Sequence, residues 1–164
     1  MTTPQDQPFP PYDGERYDVT ASVGHQLYLL MNLMRRDIQS RMSHEGLTEA
    51  QWRPLWLLKT GRANSLMSLA REMDMDAGAI TRLIDRLEAK DLVARVRSEA
   101  DRRLIHLQLT AHGEAVVAQV PHVLAAVNND FLSGFSEADW LQLRSLIGRM
   151  NSNGQALQQD KSTP

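Results

Sequence analysis

"TRLIDRLEAKDLVARVRSEADRRLIHLQLTAHG", Thr81 to Gly113, changes its period several times in one short run. Up to Leu87 the apolar residues keep helical spacing: with Ile80 just before it, Leu83, Ile84 and Leu87 form one stripe. "LVARVR" (Leu92–Arg97) and "RLIHLQL" (Arg103–Leu109) then read as two strands. In the second, Ile105, Leu107 and Leu109 share one face, expected to hold the strand to a core, and Leu104, His106 and Gln108 share the other. Between the strands lies the charged loop Ser98–Arg103, with Glu99, Asp101, Arg102 and Arg103. Thr110 caps a further helix. A hairpin with an arginine-bearing tip therefore follows an amphipathic helix directly.

Upstream, "SLMSLAREM" repeats the helical stripe with Leu66, Leu69, Ala70 and Met73, and Ser65 suits its N-cap. Only "DMD" separates it from the next helix, whose start Asp76 can cap, so the pair has helix-turn-helix form. Before it, "LTEAQWRPLWLL" predicts another helix. Thr48 and Gln51 have capping-box spacing, Leu47 and Trp52 staple spacing. Pro54 is expected to kink that helix or loosen its first turns, because it removes a donor and crowds the Ala50 carbonyl; Gly61 closes it. Earlier still, a helical pattern from Val19 carries Val23, Leu27, Leu30, Met31, Met34, Ile38 and Met42 on one stripe and ends at Gly46. Residues 1–18, with four prolines, read as a loose arm.

Downstream, one helix from Thr110 carries the seam Val117, Val120, Leu124, Val127 and Phe131, bent at Pro121. "FSEADW" pairs Ser136 with Asp139 as a capping box and Phe135 with Trp140 as a staple. The last helix bears Trp140, Leu143, Ile147 and Met150. The tail "NSNGQALQQDKSTP" reads as helix end and disorder.

Composition narrows the function. The 164 residues are 42% hydrophobic and 23% charged, as in a globular protein. No apolar run approaches the roughly 20 residues of a membrane helix, and the N-terminus lacks the basic and apolar regions of a secretory signal. The absence of cysteine excludes disulfides and thiol catalysis and suits a cytoplasmic protein. The five histidines lack metal-ligand spacing, so neither metal nor other cofactor is expected. No phosphate loop, nucleophile elbow or paired carboxylates suggest an enzyme.

The net charge of −2 argues mildly against nucleic acid. Distribution matters more. On a helical wheel Gly78, Arg82, Asp85 and Ala89 lie opposite Ile80, with Arg86 beside them and Thr81 at the flank. Such a face is ordinarily only a solvated surface. Its place, second in a helix-turn-helix and followed by an arginine-tipped hairpin, favours DNA: the second helix of such a pair enters the major groove. Arginine suits both guanine edges and the narrow minor groove.

These stretches, with "SLAREMDMDAGAI" before them and "FSEADWLQL" after, resemble the MarR family of winged helix-turn-helix transcription factors over roughly residues 20–155. The D-x-R wing tip (Asp101, Arg103) and the L-T-x-x-G helix start (Leu109, Thr110, Gly113) carry much of the likeness. The resemblance implies a mainly α fold with a small β-hairpin wing. Residues 47–109 would form the DNA-binding lobe, 19–46 and 110–158 the helical dimerisation region, and 159–164 a disordered tail. It implies that Arg82 reaches base edges, with Ala77, Gly78 and Thr81 lining the same approach. Arg86 would meet phosphate, as would Arg95 or Arg97. Arg103, with Arg102, would enter the minor groove, braced by Asp101. Asp91 stands where the family usually has glycine; a slightly strained turn is expected there.

The family also implies a homodimer, and long amphipathic helices at both ends carry more apolar stripe than one small module can cover. Double-stranded DNA, a second copy of the chain and a small effector are thus the expected partners. The effector would be aromatic or phenolic, carboxylates included. Its candidate pocket residues are His25, Tyr28, Met31, Arg35, Trp52, Arg53 and Trp56, among which an arginine beside aromatics suits an aromatic anion. For Met31 and Trp56 ordinary core packing is the plainer reading. A winged-helix module that binds protein rather than DNA is the competing function, since fold alone does not fix activity.

Overall fold

The computed structural model describes residues 12–97 and 105–160. Expectations for residues 1–11, for the wing tip 98–104 and for 161–164 lie outside the described residues. The elements are α1 (Val23–His44), α2 (Glu49–Lys59), α3 (Leu66–Met73), α4 (Ala77–Glu88), β1 (Val93–Arg97), β2 (Ile105–Leu109), α5 (Ala111–Val117), α6 (Val120–Phe131) and α7 (Glu137–Asp160). A one-turn 3-10 helix, Gly14–Arg16, precedes α1. The fold is mainly α with one antiparallel hairpin, as the sequence predicts.

Capping side chains place most helix starts. Ser65 Oγ accepts from Ser68 N at 3.2 Å, and Ser68 Oγ accepts from Ser65 N at 3.0 Å. Asp76 Oδ1 accepts from Ala79 N at 2.8 Å. Thr110 Oγ1 accepts from Gly113 N at 3.0 Å, and Ser136 and Asp139 satisfy each other's backbone N–H. At α2 the Gln51 side chain supplies the contact, accepting from Thr48 N at 3.1 Å and from the Thr48 hydroxyl at 2.9 Å. Each bond satisfies a donor or hydroxyl that the first helical turn leaves unpaired.

Three boundaries differ from expectation. α1 starts at Val23, four residues beyond Val19, because Ser22 caps it by accepting from His25 N. The single bent helix expected after Thr110 is two helices, α5 and α6, separated by a turn at residues 118–119. Pro121 has no N–H to give the Val117 carbonyl and its ring crowds that carbonyl, so the ladder stops; in the first turn of α6 the missing donor costs nothing. α7 continues through "NSNGQALQQD" to Asp160. Pro54, by contrast, lies buried inside α2 without splitting it.

The chain forms two compact units, residues 1–124 and 125–164. In the first, Met42, Leu55, Leu69, Ile80, Ile84, Leu87, Val93, Leu107 and Val117 form one buried cluster, with Ile38, Trp52, Trp56 and Leu109 packed against it. The α3 and α4 stripes read from sequence are thus inner faces. α1 joins this core only through its C-terminal half; toward its start Tyr28, Leu30, Met31 and Leu33 are exposed. In the second unit α7 exposes Leu141, Leu146, Ile147, Met150 and Leu157. The Arg144 guanidinium lies 4.8 Å from the Trp140 ring. Among the described residues no helix is long and apolar enough to cross a membrane.

Candidate nucleic-acid interface

The outer face of α4 carries the predicted groove-reading residues together. Ala77, Gly78, Arg82 and Arg86 are exposed. Thr81 is half-buried and its hydroxyl donates to Ala77 O at 2.7 Å. A Cβ at Gly78 would stand 3.2 Å from Asp76 Oδ1 and 3.4 Å from Arg82 Nη1. The Arg82 guanidinium therefore lies back over Gly78 toward the helix start. The hydrogen bond from Ala79 N, aided by Gly78 N and the Arg82 charge and opposed by desolvation, holds the Asp76 carboxyl below its usual range. The N-terminal end of α4 is slim, and its backbone can approach a duplex closely.

The hairpin stands behind this helix. β1 and β2 pair from Val93↔Leu109 to Arg97↔Ile105. Leu107 N donates to Asn64 O at 2.8 Å, fastening the free edge of β2 to the segment before α3. Val93 and Leu107 are buried and Leu109 packs on the core, but Ile105 is 45% exposed. The expectation that Ile105 holds the wing to the core is corrected: the ribbon leaves the core surface toward its tip, so only its base can be covered. Arg97 is exposed, as a phosphate contact requires. Asp101, Arg102 and Arg103 lie outside the described residues.

Arg95 also departs from expectation. It is half-buried, and its guanidinium is occupied by two carboxylates of α4: Nη2 lies 2.6 Å from Asp85 Oδ1, and Nη1 pairs with Glu88 Oε2. Glu88 Oε1 also accepts from Arg95 N at 3.3 Å. Partial burial pulls the guanidinium pKa down, but the bonds and charges of Asp85 and Glu88 outweigh it and leave the pKa above the ordinary arginine value. Of the two arginines expected at phosphate, Arg97 has an exposed side chain and Arg95 is already engaged. Sequence reasoning missed Asp85 and Glu88 as partners. Their spacing of three on α4 was visible, but not the strand that folds back beside them.

The joint between α4, β1 and α5 is tightly built. Asp91 adopts φ 56°, the left-handed turn that the resemblance implied at a place where glycine is usual. Thr110 N donates to Leu92 O at 3.2 Å and the Thr110 hydroxyl to Asp91 O at 2.5 Å. A Cβ on Gly113 would fall 2.0 Å from Leu92 O. Glycine is therefore needed in the L-T-x-x-G motif because the wing's first carbonyl occupies side-chain space.

A second feature is a cleft of about 390 Å³ between α1 and α2. Met31, Arg35, Trp52 and Arg53 of the predicted pocket line it, with Gln39 and Glu49. His25, Tyr28 and Trp56 do not: His25 and Tyr28 stack on each other 6.5 Å apart, and Trp56 packs on the core. Glu49 lies between the arginines, 2.9 Å from Arg35 Nη2 and 4.0 Å from Arg53 Nη1. Trp52 Nε1 and Gln39 Oε1 are buried without a hydrogen-bond partner, a donor and an acceptor each costly to leave unpaired.

A family model described as "MarR family" matches residues 47–105, from the α2 cap to the start of β2. The chain is 30% identical over 124 residues to the HTH-type transcriptional repressor MdtR of Bacillus subtilis, covering 76% of this chain and 80% of that one. Among solved structures it is similar to the transcriptional regulator PA3341, with TM-score 0.70 and 29% identity over 82% of this chain and 99% of the other. It is also similar to BpsR of Bordetella bronchiseptica, whose DNA binding is regulated by 6-hydroxynicotinic acid, with TM-score 0.68 and 26% identity over 82% and 96%.

Proposed function

Because the chain belongs to the MarR family of winged helix-turn-helix transcription factors, we propose that it is a repressor that binds a pseudo-palindromic DNA operator as a homodimer. A small aromatic or phenolic effector releases it. The observation that carries this reading is the outer face of α4, with exposed Arg82 and Arg86 beside a slim, capped N-terminus. Arg82 reads base edges in the major groove, Arg86 meets phosphate, and Arg103 with Arg102 enters the minor groove from the wing. The exposed apolar residues of α1 and of α7 support the homodimer, because free in water each would leave a large apolar stripe uncovered.

The α1–α2 cleft suits the effector. Both arginines there already face Glu49, so a carboxylate ligand must displace an existing ion pair. A phenol need not break that pair. Trp52 and Gln39, which line the cleft, each carry a buried polar atom without a partner, the donor Nε1 and the acceptor Oε1, that a ligand hydroxyl entering the cleft could satisfy. Met31 and Met34 supply an adaptable apolar wall. The protein acts in the cytoplasm, where its DNA is.

Fluorescence anisotropy on a labelled duplex tests the reading. Affinity should fall steeply with salt, and titration with simple phenols and benzoates should release the duplex from the wild-type chain. Trp52→Phe should blunt release by phenols while leaving DNA affinity near wild type. No binding to the duplex at low salt would favour the protein-binding module instead. Salt-independent binding would count against the phosphate and wing contacts, and release unaltered in the Trp52 variant would remove the cleft from the account.

A further inference from the structure

The ion-paired Arg95 has a consequence for how the two DNA-reading elements are held. α4 and the wing must address neighbouring grooves of one duplex together, so their mutual spacing is part of the recognition. Asp85 belongs to the same outer face of α4 as Gly78 and Arg82, by about 100° per residue. A bare carboxylate there would repel phosphate. Arg95 on β1 takes up Asp85 at 2.6 Å and also pairs with Glu88, whose other oxygen accepts from the Arg95 backbone at 3.3 Å. The guanidinium is planar and forked, so engagement of both terminal nitrogens fixes direction as well as distance. The contacts sit on β1, close to where the hairpin leaves the core. The other edge is held by the backbone bond from Leu107 N to Asn64 O.

We propose that Arg95 is a positioning residue for DNA recognition: through Asp85 and Glu88 it sets the wing against the recognition helix and masks the carboxylate charge that α4 would otherwise present to the duplex. The proposal rests on the DNA-binding reading above and replaces the expectation that Arg95 touches phosphate. A phosphate contact and a brace predict different things. Losing a phosphate contact weakens binding to every duplex alike and lowers the salt slope of log K by about 0.9. Losing a brace lowers the ratio of specific to nonspecific affinity, and only while its partners are intact.

The test is a mutant cycle on the full-length chain, using an operator duplex selected with the wild-type protein and a scrambled duplex, each in a salt series. Arg95→Met should lower the specificity ratio by about tenfold or more, the scale of one lost base reading. In the Asp85→Asn/Glu88→Gln background the same substitution should change the ratio less than about threefold, because the brace is already absent. Asp85→Asn/Glu88→Gln alone should reproduce most of the loss, which keeps the test decisive if Arg95→Met does not fold. Equal losses of affinity for the operator and the scrambled duplex from Arg95→Met, in both backgrounds and with a salt slope reduced by about 0.9, would overturn the proposal. So would an unchanged ratio in Asp85→Asn/Glu88→Gln. A wild-type chain that selects no sequence would instead overturn the DNA-binding reading itself.

Discussion

Replacing Gly113 by alanine puts a methyl group against the first carbonyl of the wing. In an ordinary helix the change adds roughly 0.5–1 kcal/mol of stability, because glycine loses more freedom on folding. Here the new Cβ would lie 2.0 Å from Leu92 O and 3.0 Å from Leu92 C. A relaxed C···O contact is about 3.3 Å or more, so α5 must retreat from the Leu92 backbone by roughly 1.3 Å. Backbone on both sides leaves no flexible chain end to yield. Overpacking of this kind costs about 1–3 kcal/mol. The retreat also strains the bonds from Thr110 to Leu92 O and Asp91 O, worth about 1 kcal/mol each. The net expectation is a loss of about 2–4 kcal/mol, or roughly 5–15 °C in Tm for a chain of this size. Thermal and urea unfolding followed by circular dichroism would read it. Gly154→Ala is the control, since beyond its chain neighbours and its own helix backbone nothing lies within 4 Å of its would-be Cβ; it should gain up to about 1 kcal/mol. A Gly113→Ala protein as stable as wild type would refute the claim that the joint is sterically closed.

The other expectations follow from single features. Asp91→Gly should raise stability by about 0.5–1 kcal/mol in the same unfolding assay, as relief of the left-handed backbone at φ 56° exceeds the added freedom of glycine. Arg82→Ala should lose about 1–3 kcal/mol of discrimination at one base position while nonspecific binding persists, measured with a panel of substituted operators. Arg103→Ala should reduce affinity by a similar 1–3 kcal/mol and relax any preference for a narrow A·T-rich groove. Asp76 and Asp139 both have folded-state pKa values lowered, chiefly by hydrogen bonds from Ala79 N and the Ser136 side chain respectively. Their contribution is present above the unfolded carboxylate pKa of about 4 and disappears as pH falls through the lower folded values. Acid titration of stability should therefore lose part of its dependence below about pH 4 in Asp76→Ala.

What could be read in advance was local. Ser65, Asp76, Thr110 and Ser136 announced their helices because a cap and its target lie within three residues. Ile80, Leu83, Ile84 and Leu87 announced their buried face through their period alone. The left-handed turn at Asp91 was legible only through the family resemblance, which usually has glycine at that place. The features that escaped depend on what folds back beside what. Arg95 looked like one more outward arginine, because Asp85 and Glu88 meet it only when β1 returns along α4. Ile105 shares its alternation with Leu107, yet only the base of a two-stranded ribbon reaches the core. The α5–α6 break turned on whether Pro121 bends a helix or begins one. α7 outran its apolar pattern because "NSNGQALQQD" carries few apolar residues to mark its length. The α1–α2 cleft was glimpsed through Met31, Arg35, Trp52 and Arg53. Gln39 and Glu49, which define its polarity, carry no local signal.

Selection of bound sequences from a pool of random duplexes by the purified wild-type chain, at moderate salt, tests the central claim most directly. The account predicts enrichment of a two-fold symmetric site with half-site centres about one helical turn, roughly 10 bp, apart. Failure to enrich any sequence over the starting pool would contradict it.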